Sequence, residues 1–459
     1  MTRWKIIVEE SGQATIIVAL CMVVLIAFLG LSIDVGHLRL EKRNLQKAAD
    51  AAALAAGLEI RVCGTTPNCG AMTTAATKAL VENGFTGSTL ITNCSSAAGS
   101  GLTLMVSNPT CVNGTNDPNH GKTNYVEVEV SNTVRTYFSR IVGYDKVPIK
   151  ARAEAARGLG GPCIYALDPS GSGAITVGVA LLVQSTCGIV DESSSSSALV
   201  CGVGLGIIAP SISVTGKTAS LLCFSTPVKT GVPVPTPADP LAYLPAPSTA
   251  NDACGTSTSS PYTGSSSAVN IILGGNVVFN PGVYCGGISF TAALLSNITF
   301  NPGIYILRQG PGLLGIPSGG LNITVTLLSS ITGKGVMFYN EGPVGSLAIT
   351  APALLGLSNV NLSAATTGEY GGVLFFQAHG VSTSGVFVAN LLQGSKFNGA
   401  IYMPDALVSY GVGAVSSDYN ILVAKDINFS VTALSTFGNN YATLQSGSPL
   451  GGDNTVLVQ

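Results

Sequence analysis

Between Ala14 and Ile33 the chain carries no charge, and Thr15 and Ser32 are its only clearly polar residues. At 1.5 Å rise per residue, about 20 helical residues cross a hydrocarbon core of ~30 Å. No other segment is both as long and as apolar. The pattern predicts one transmembrane helix, with everything after Asp34 on one side of the bilayer. Arg3 and Lys5 precede the run, as in a secretory signal. The run is longer than the ~7–15 residues of a signal's apolar region, and no small-x-small site follows it, which favours an uncleaved anchor.

An apolar seam continues past the lipid. Leu31, Leu38, Leu45 and Ala52 fall every seven residues, and the stretch from Ala48 to Ala56 is nearly all alanine. This predicts either a rigid stalk or a contact surface for another helix, including a second copy of the chain. Residues 1–60 are therefore read as a cytoplasmic tip, a membrane helix and an Ala-rich stalk.

Residues 61–158 read as a small α+β membrane-proximal domain. Ala71–Asn83 is helix-like, with Met72, Ala75, Ala76, Ala79 and Leu80 on one face and Gly84 as its stop. Tyr125 to Val130 alternates apolar and polar, which predicts a half-buried strand with Glu127 and Glu129 in solvent. Val134–Val142 suggests a short helix with Val134, Phe138, Ile141 and Val142 inward. Val147, Ile149, Ala151 and Ala153 alternate as a second strand, and a small antiparallel sheet under a helix is the economical arrangement.

From 159 to 459 the pattern changes to short apolar strands cut by Gly, Ser and Asn. Asn280-Pro-Gly-Val-Tyr284 recurs as Asn301-Pro-Gly-Ile-Tyr305. Related strand openings begin at Gly335, Gly372 and Gly399. Such spacing predicts a parallel β-helix-like solenoid, in which each coil pairs the strand edges of the last, with a β-sandwich as second choice. Ser193–Ser197 and the Asn-Ile-Thr segments at Asn297 and Asn322 suit turns. The proline-rich stretch 233–247 cannot donate a strand ladder, and reads as an excursion along the side of the stack. The fold class is thus mainly β with an N-terminal transmembrane α-helix.

Composition narrows the function. Charged residues are 10% of the chain and net charge is −2, against ~25% charged in a typical soluble domain. After residue 160 only Lys217, Lys229, Arg308, Lys334, Lys396 and Lys425 are basic, against eleven acids. That is the wrong balance for a phosphate backbone, so no nucleic-acid partner is expected. Of eleven cysteines, Cys21 lies in the apolar run. The other ten, Cys63, Cys69, Cys94, Cys111, Cys163, Cys187, Cys201, Cys223, Cys254 and Cys285, form an even set and read as disulfide cysteines in a translocated domain. Cys63 with Cys69 and Cys94 with Cys111 each bracket a turn-rich loop; the pairing of the rest stays open. Without a Cys-x-x-Cys pair or a nearby His, zinc is not expected, and no cofactor is implied.

Candidate chemistry is sparse. Asp168-Pro-Ser170-Gly-Ser172 fits a metal-adhesion motif of von Willebrand A domains, but strand-like residues follow where that fold needs a helix; a turn is the simpler reading. Glu127 and Glu129 lie two apart on one strand. Asp191 and Glu192 are adjacent and should face opposite ways. Asp405 and Asp426 lie in different repeats and meet only by stacking. With Arg308 and His379 the only Arg and His of the large domain, a polysaccharide-active enzyme is the weaker alternative. Tyr284 and Tyr305, stacked in register, would favour an adhesin if exposed. Asn93, Asn113, Asn297, Asn322, Asn361 and Asn428 head Asn-x-Ser/Thr triplets, read as corner residues of the stack.

Gly12-Gln13-Ala14, the apolar run, Asp34-x-Gly36 and Leu45-Gln46-x-Ala48-Ala49-Asp50-Ala51 through Ala55 together resemble the N-terminal segment of TadG-like proteins, of the bacterial Tad (tight adherence, or Flp) pilus-assembly system. Prepilin cleavage after Gly12 is disfavoured, because Ile17 stands where pilin-type signals carry Glu. The resemblance implies a single-pass inner-membrane protein serving a pilus, without catalysis, with pilus-assembly proteins as partners and the bulk of the chain periplasmic. Lys and Arg counts around the helix mildly oppose that orientation (Arg3 and Lys5 before it; Arg39, Lys42, Arg43 and Lys47 after), but long domains translocate largely regardless of charge. Many family members carry a von Willebrand A domain downstream, and this chain departs there.

Overall fold

A computed structural model describes residues 11–458, apart from 64–67, 92–93, 95–100, 158–160, 179–181, 203–205, 220–226, 249–252, 272–274, 293–295, 326–328, 351–358, 416, 431–434, 445–446 and 451–454. The chain forms two compact units, Met1–Arg157 with Thr455–Gln459, and Gly158–Asn454.

In the first unit, α1 (Ser11–Leu58) is one continuous helix of 48 residues. Its outer half is exposed from Thr15 to Leu29, as a lipid-facing rod is when no lipid is present. It is long and apolar enough to cross a membrane, and among the described residues no other helix is. Its second half is not a free stalk. Leu45, Ala48, Ala49, Ala52, Ala53 and Ala56 are buried against a sheet and against the helix that follows. A short α2 (Ile60–Cys63) precedes α3 (Gly70–Glu82), which buries Met72, Ala76, Ala79 and Leu80. The alanine stripe therefore faces the chain's own strands. Opposite it the sheet also presents alanines, Ala151, Ala153 and Ala155, and small side chains on both surfaces bring the backbones close at native packing density.

That sheet runs β1 (Thr89–Ile91), β2 (Thr103–Ser107), β3 (Tyr125–Arg135), β4 (Lys146–Arg157), and then the C-terminal strand Thr455–Leu457. It is antiparallel except for β1 on β2. Two expectations fail here. Glu127 and Glu129 are buried, because the segment 108–123 covers the second face of the sheet. The helix expected over Val134–Val142 is instead the end of β3 and a short 3₁₀ turn, Ser139–Val142, closed by Gly143 at φ 94°. Phe138, Ile141 and Val142 point outward. A strand end followed by a turn shares the spacing that suggested a helical face.

The second unit is a stack of coils in which every described pairing of the main sheet is parallel. One column of strands runs Asn276–Phe279, Asn297–Phe300, Ser330–Lys334, Asn359–Ser363 and Lys396–Asn398. The Asn-Ile-Thr segments at Asn297 and Asn322 thus lie in strands, not turns. Their amides form part of side-chain ladders between coils: Asn297 donates to Asn276 at 3.2 Å, and Asn322 accepts from Ser346 at 3.2 Å. Asn93 lies outside the described residues.

Inside the stack, aromatic rings of successive coils pile up. Phe279 lies 4.9 Å from Phe300, Tyr284 6.0 Å from Tyr305, Tyr305 5.2 Å from Phe338, Phe338 5.4 Å from Phe375, and Phe375 5.6 Å from Phe397. Stacked and edge-on rings at these distances add to their burial. The tyrosine hydroxyls reach backbone carbonyls: Tyr305 donates to Phe279 at 2.9 Å and to Asn301 at 2.7 Å.

The order of coils is not the order of the sequence. The strand Pro162–Ala166 pairs on one side with Gly188–Asp191 and on the other with Asn420–Phe429. The chain therefore joins the stack in its middle. It winds outward through Ile212–Val214 to Val228–Thr230, and the far end begins at Tyr262–Ser265, from which coils return to Asn420–Phe429. The proline-rich segment bridges the two ends along the side. Asp239 accepts from Tyr402 at 2.7 Å, Pro245 accepts from Tyr370 at 3.2 Å, and Tyr243 donates to Pro449 at 2.6 Å. The last described strand of the unit, Ser435–Phe437, pairs with Leu182–Ser185, and beyond it Leu444 and Pro449 lie against Gly372.

Candidate functional site

The end of the apolar run is the best-organised polar site of the first unit. Asp34 follows Ile33 directly, yet its side chain is only 1% exposed. Its carboxylate accepts the backbone N–H groups of Tyr137 at 2.8 Å, Phe138 at 2.9 Å and Ser139, and the Ser139 hydroxyl at 2.7 Å. The donors are the orphan N–H groups at the start of the 3₁₀ turn, which an anionic acceptor satisfies. Beside it, a Cβ on Gly30 would lie 2.8 Å from the Phe138 ring, and the His37 and Tyr137 rings are 5.2 Å apart. The other motif residues lie elsewhere along α1. Gly12 and Gln13 fall in the first turn of α1, and Gly36 faces open space. Leu45 and Ala49 are core. Gln46 donates to Asp50 and to the Arg152 carbonyl, each at 2.8 Å, tying α1 to β4.

On the far face of the sheet, Asp117, Glu127 and Glu154 bring one oxygen each within 4.8 Å of the others, as a metal would need. A cation is already there. The Arg152 guanidinium pairs with Glu127 and Glu154 and lies 2.9 Å from Asp117. Glu127 also accepts the N–H groups of Cys111 and Val112 at 2.8 and 2.9 Å. Burial, and a hydrogen bond shared with Asp117, push Glu154 up to about 7. The group acts as a polar core that fastens the 108–123 segment. No local pattern announces it: the cluster depends on the β3–β4 register, which sets Glu127 opposite Glu154 and Glu129 opposite Arg152, and alternation does not reveal register.

In the coil stack, the Asp168 motif is a turn: its carboxylate accepts the N–H groups of Ser170 and Gly171, at 2.9 and 2.6 Å. Asp191 and Glu192 are both buried rather than split between core and solvent. Burial, with Asp426 and Asp168 nearby, pushes Asp191 up to about 7; burial, with Asp239 and Asp191, pushes Glu192 up to about 8. Asp405 sits instead by His379, at 3.6 Å, and His379 lies 3.1 Å from the Tyr402 hydroxyl. Asp426 lies on the next coil, where its register partner is Leu407. Tyr284 and Tyr305 are fully buried, so they form no exposed stripe. The wall instead carries a groove of about 910 Å³, lined by Asn301, Thr332, Lys334, Asn361, Lys396 and Asp418 among others.

The disulfides join Cys63 to Cys69, Cys94 to Cys111, Cys163 to Cys187 and Cys254 to Cys285. Cys201 is also disulfide-bonded; Cys223 lies outside the described residues. Cys21 is free and exposed in the apolar run.

Among the described residues one helix, near the N-terminus, is long and apolar enough to cross a membrane; its far half is the core of a small disulfide-bearing α+β unit, and a parallel coil stack follows, the arrangement of a membrane-anchored protein. Residues 12–59 match the family model Tad, described as putative Flp pilus-assembly TadE/G-like, and the chain carries a TadG-like segment over those residues. No curated protein and no solved structure matched.

Proposed function

We propose that this chain is a non-catalytic, single-pass component of a Tad/Flp-type pilus assembly or anchoring system. It sits in the bacterial inner membrane with the bulk of the chain outside the cytoplasm. The observation that carries the reading is the coincidence of the family match, residues 12–59, with the helix that is both the membrane rod and the core of the first unit. In this role the coil stack is a rigid, chemically quiet scaffold whose polar backbone is satisfied by repetition. Its partners are other pilus-assembly proteins. Deleting the gene in its own host and counting surface pili by electron microscopy tests this. Unchanged pilus number and length overturn it. Protease accessibility of the coil stack in spheroplasts tests the orientation.

The groove supports a second reading, an adhesin. Amide, hydroxyl and lysine groups repeated along successive coils are suited to the hydroxyls of a glycan. A glycan array separates the two: saturable binding favours the adhesin, turnover of a polysaccharide would favour an enzyme, and neither leaves the scaffold.

A further inference from the structure

The tip of the β3–β4 hairpin carries side chains that the folded unit leaves uncovered. Tyr137, Phe138, Ile141, Val142 and Tyr144 are 59, 41, 81, 73 and 66% exposed. Five large apolar or aromatic groups within eight residues form a patch of the sort that marks a membrane or protein contact. Its height along α1 is fixed. The Asp34 carboxylate holds the backbone of Tyr137, Phe138 and Ser139, and the Phe138 ring lies against Gly30. Gly30 is three residues, or about 5 Å of helix rise, inside the end of the apolar run at Ile33.

We infer that this hairpin tip is a second membrane contact, a loop that dips into the lipid leaflet on the folded side of the bilayer; the inference rests on α1 spanning that bilayer. With Phe138 beside Gly30, the tip lies at the boundary between hydrocarbon and headgroups. Tyr137 and Tyr144 have the amphipathic rings enriched at that level, and Ile141 and Val142 have the apolar side chains that enter it. Arg140 and Lys146, both exposed, flank the patch as partners for lipid phosphates. The occupant is lipid, because the tip is seated on α1 at Gly30, within the apolar run, where the neighbouring Leu29, Leu31 and Ile33 are exposed as a lipid-facing surface would be. Two contacts, one helix and one loop, then fix the tilt of the first unit on the membrane, which a helix alone leaves free.

The test uses the full chain reconstituted in phosphatidylethanolamine/phosphatidylglycerol vesicles, with Trp4, its only tryptophan, replaced by Phe. Single reporters are Ile141→Trp and Val142→Trp at the tip and Leu25→Trp inside the apolar run. Lipids brominated high or low on the acyl chain quench by depth. The expected result is blue-shifted emission at 141 and 142, quenched most by shallow bromines, with Leu25→Trp quenched most by deep ones. Tip reporters left unquenched while Leu25→Trp is quenched overturn the inference and leave the anchor standing. An unquenched Leu25→Trp overturns the anchor, and the inference with it. A blue shift at the tip that grows with protein density, without lipid quenching, assigns the patch to a second copy and also overturns it.

Discussion

The carboxylate of Asp34 takes the hydroxyl of Ser139 at 2.7 Å across 105 positions of sequence. Together with three backbone N–H groups, this contact sets where the membrane rod ends and the folded unit begins. Asp34→Ala removes the acceptor from all four donors. Hydrogen exchange on the detergent-solubilised chain should accelerate at the amides of Tyr137, Phe138 and Ser139, with the centre of β3 unchanged. Asp34→Asn, which keeps one acceptor oxygen, should lie between Ala and the native residue.

Gly57 marks a second close approach. A Cβ there would meet the Thr455 methyl at 2.4 Å. Gly57→Ala should loosen the C-terminal strand and cost about 1–3 kcal/mol, the usual range for overpacking, despite alanine's better helix propensity. Thr455→Ser removes the opposing methyl, so the double variant should recover most of the loss in denaturant midpoint.

In the coil stack, the aromatic pile predicts a contrast of two substitutions. Phe338→Ala leaves a cavity between Tyr305 and Phe375 and should cost about 3–5 kcal/mol. Tyr305→Phe keeps the ring and loses only its hydrogen bonds to Phe279 and Asn301, at about 1 kcal/mol. Chemical denaturation followed by near-ultraviolet circular dichroism distinguishes them.

Asp191 and Glu192 predict a coil stack whose stability depends on pH. Their folded values, about 7 and about 8, lie above their ordinary 3.8 and 4.5. The folded state then binds more protons than the unfolded state between those limits, so stability falls as pH rises. The contribution is complete below about pH 4 and is lost as pH climbs through 7 to 8. Asp191→Asn with Glu192→Gln should flatten the dependence of the denaturation midpoint on pH over that window.

Removing the Cys254–Cys285 bridge, which spans 31 positions, should cost about 3–4 kcal/mol by loop closure. Paired serine substitution measured against the oxidised protein checks this, and the first unit should not change.

Much of this architecture was readable in advance, and the failures have a common cause. The uncharged run before Asp34, the helix around Met72 and Leu80, the two alternating strands and the Asn-Pro-Gly-x-Tyr repeat each announce themselves by local period. Alternation in Tyr125–Val130 separates two faces but is silent on whether the second meets water. It therefore missed the segment that buries Glu127 and Glu129 around Arg152 and Lys150. The repeat brought the Tyr284 ring onto that of Tyr305, but the strands pair Tyr284 with Leu307, and the repeat was silent on which side of the wall the rings lie. The outward turn of Ile141 and Val142 depends on Asp34, a partner 105 or more positions away. Nothing local says that Ile164 lies beside Leu422.

That last adjacency has a consequence for the two ends of the winding. Because the entering strand Pro162–Ala166 is hydrogen-bonded to the late strand Asn420–Phe429, neither is a bare edge. The strands at the margins, Val228–Thr230 and Tyr262–Ser265, come from the middle of the sequence. Fraying at the start of the coil stack therefore opens a seam inside it and uncovers no outer coil.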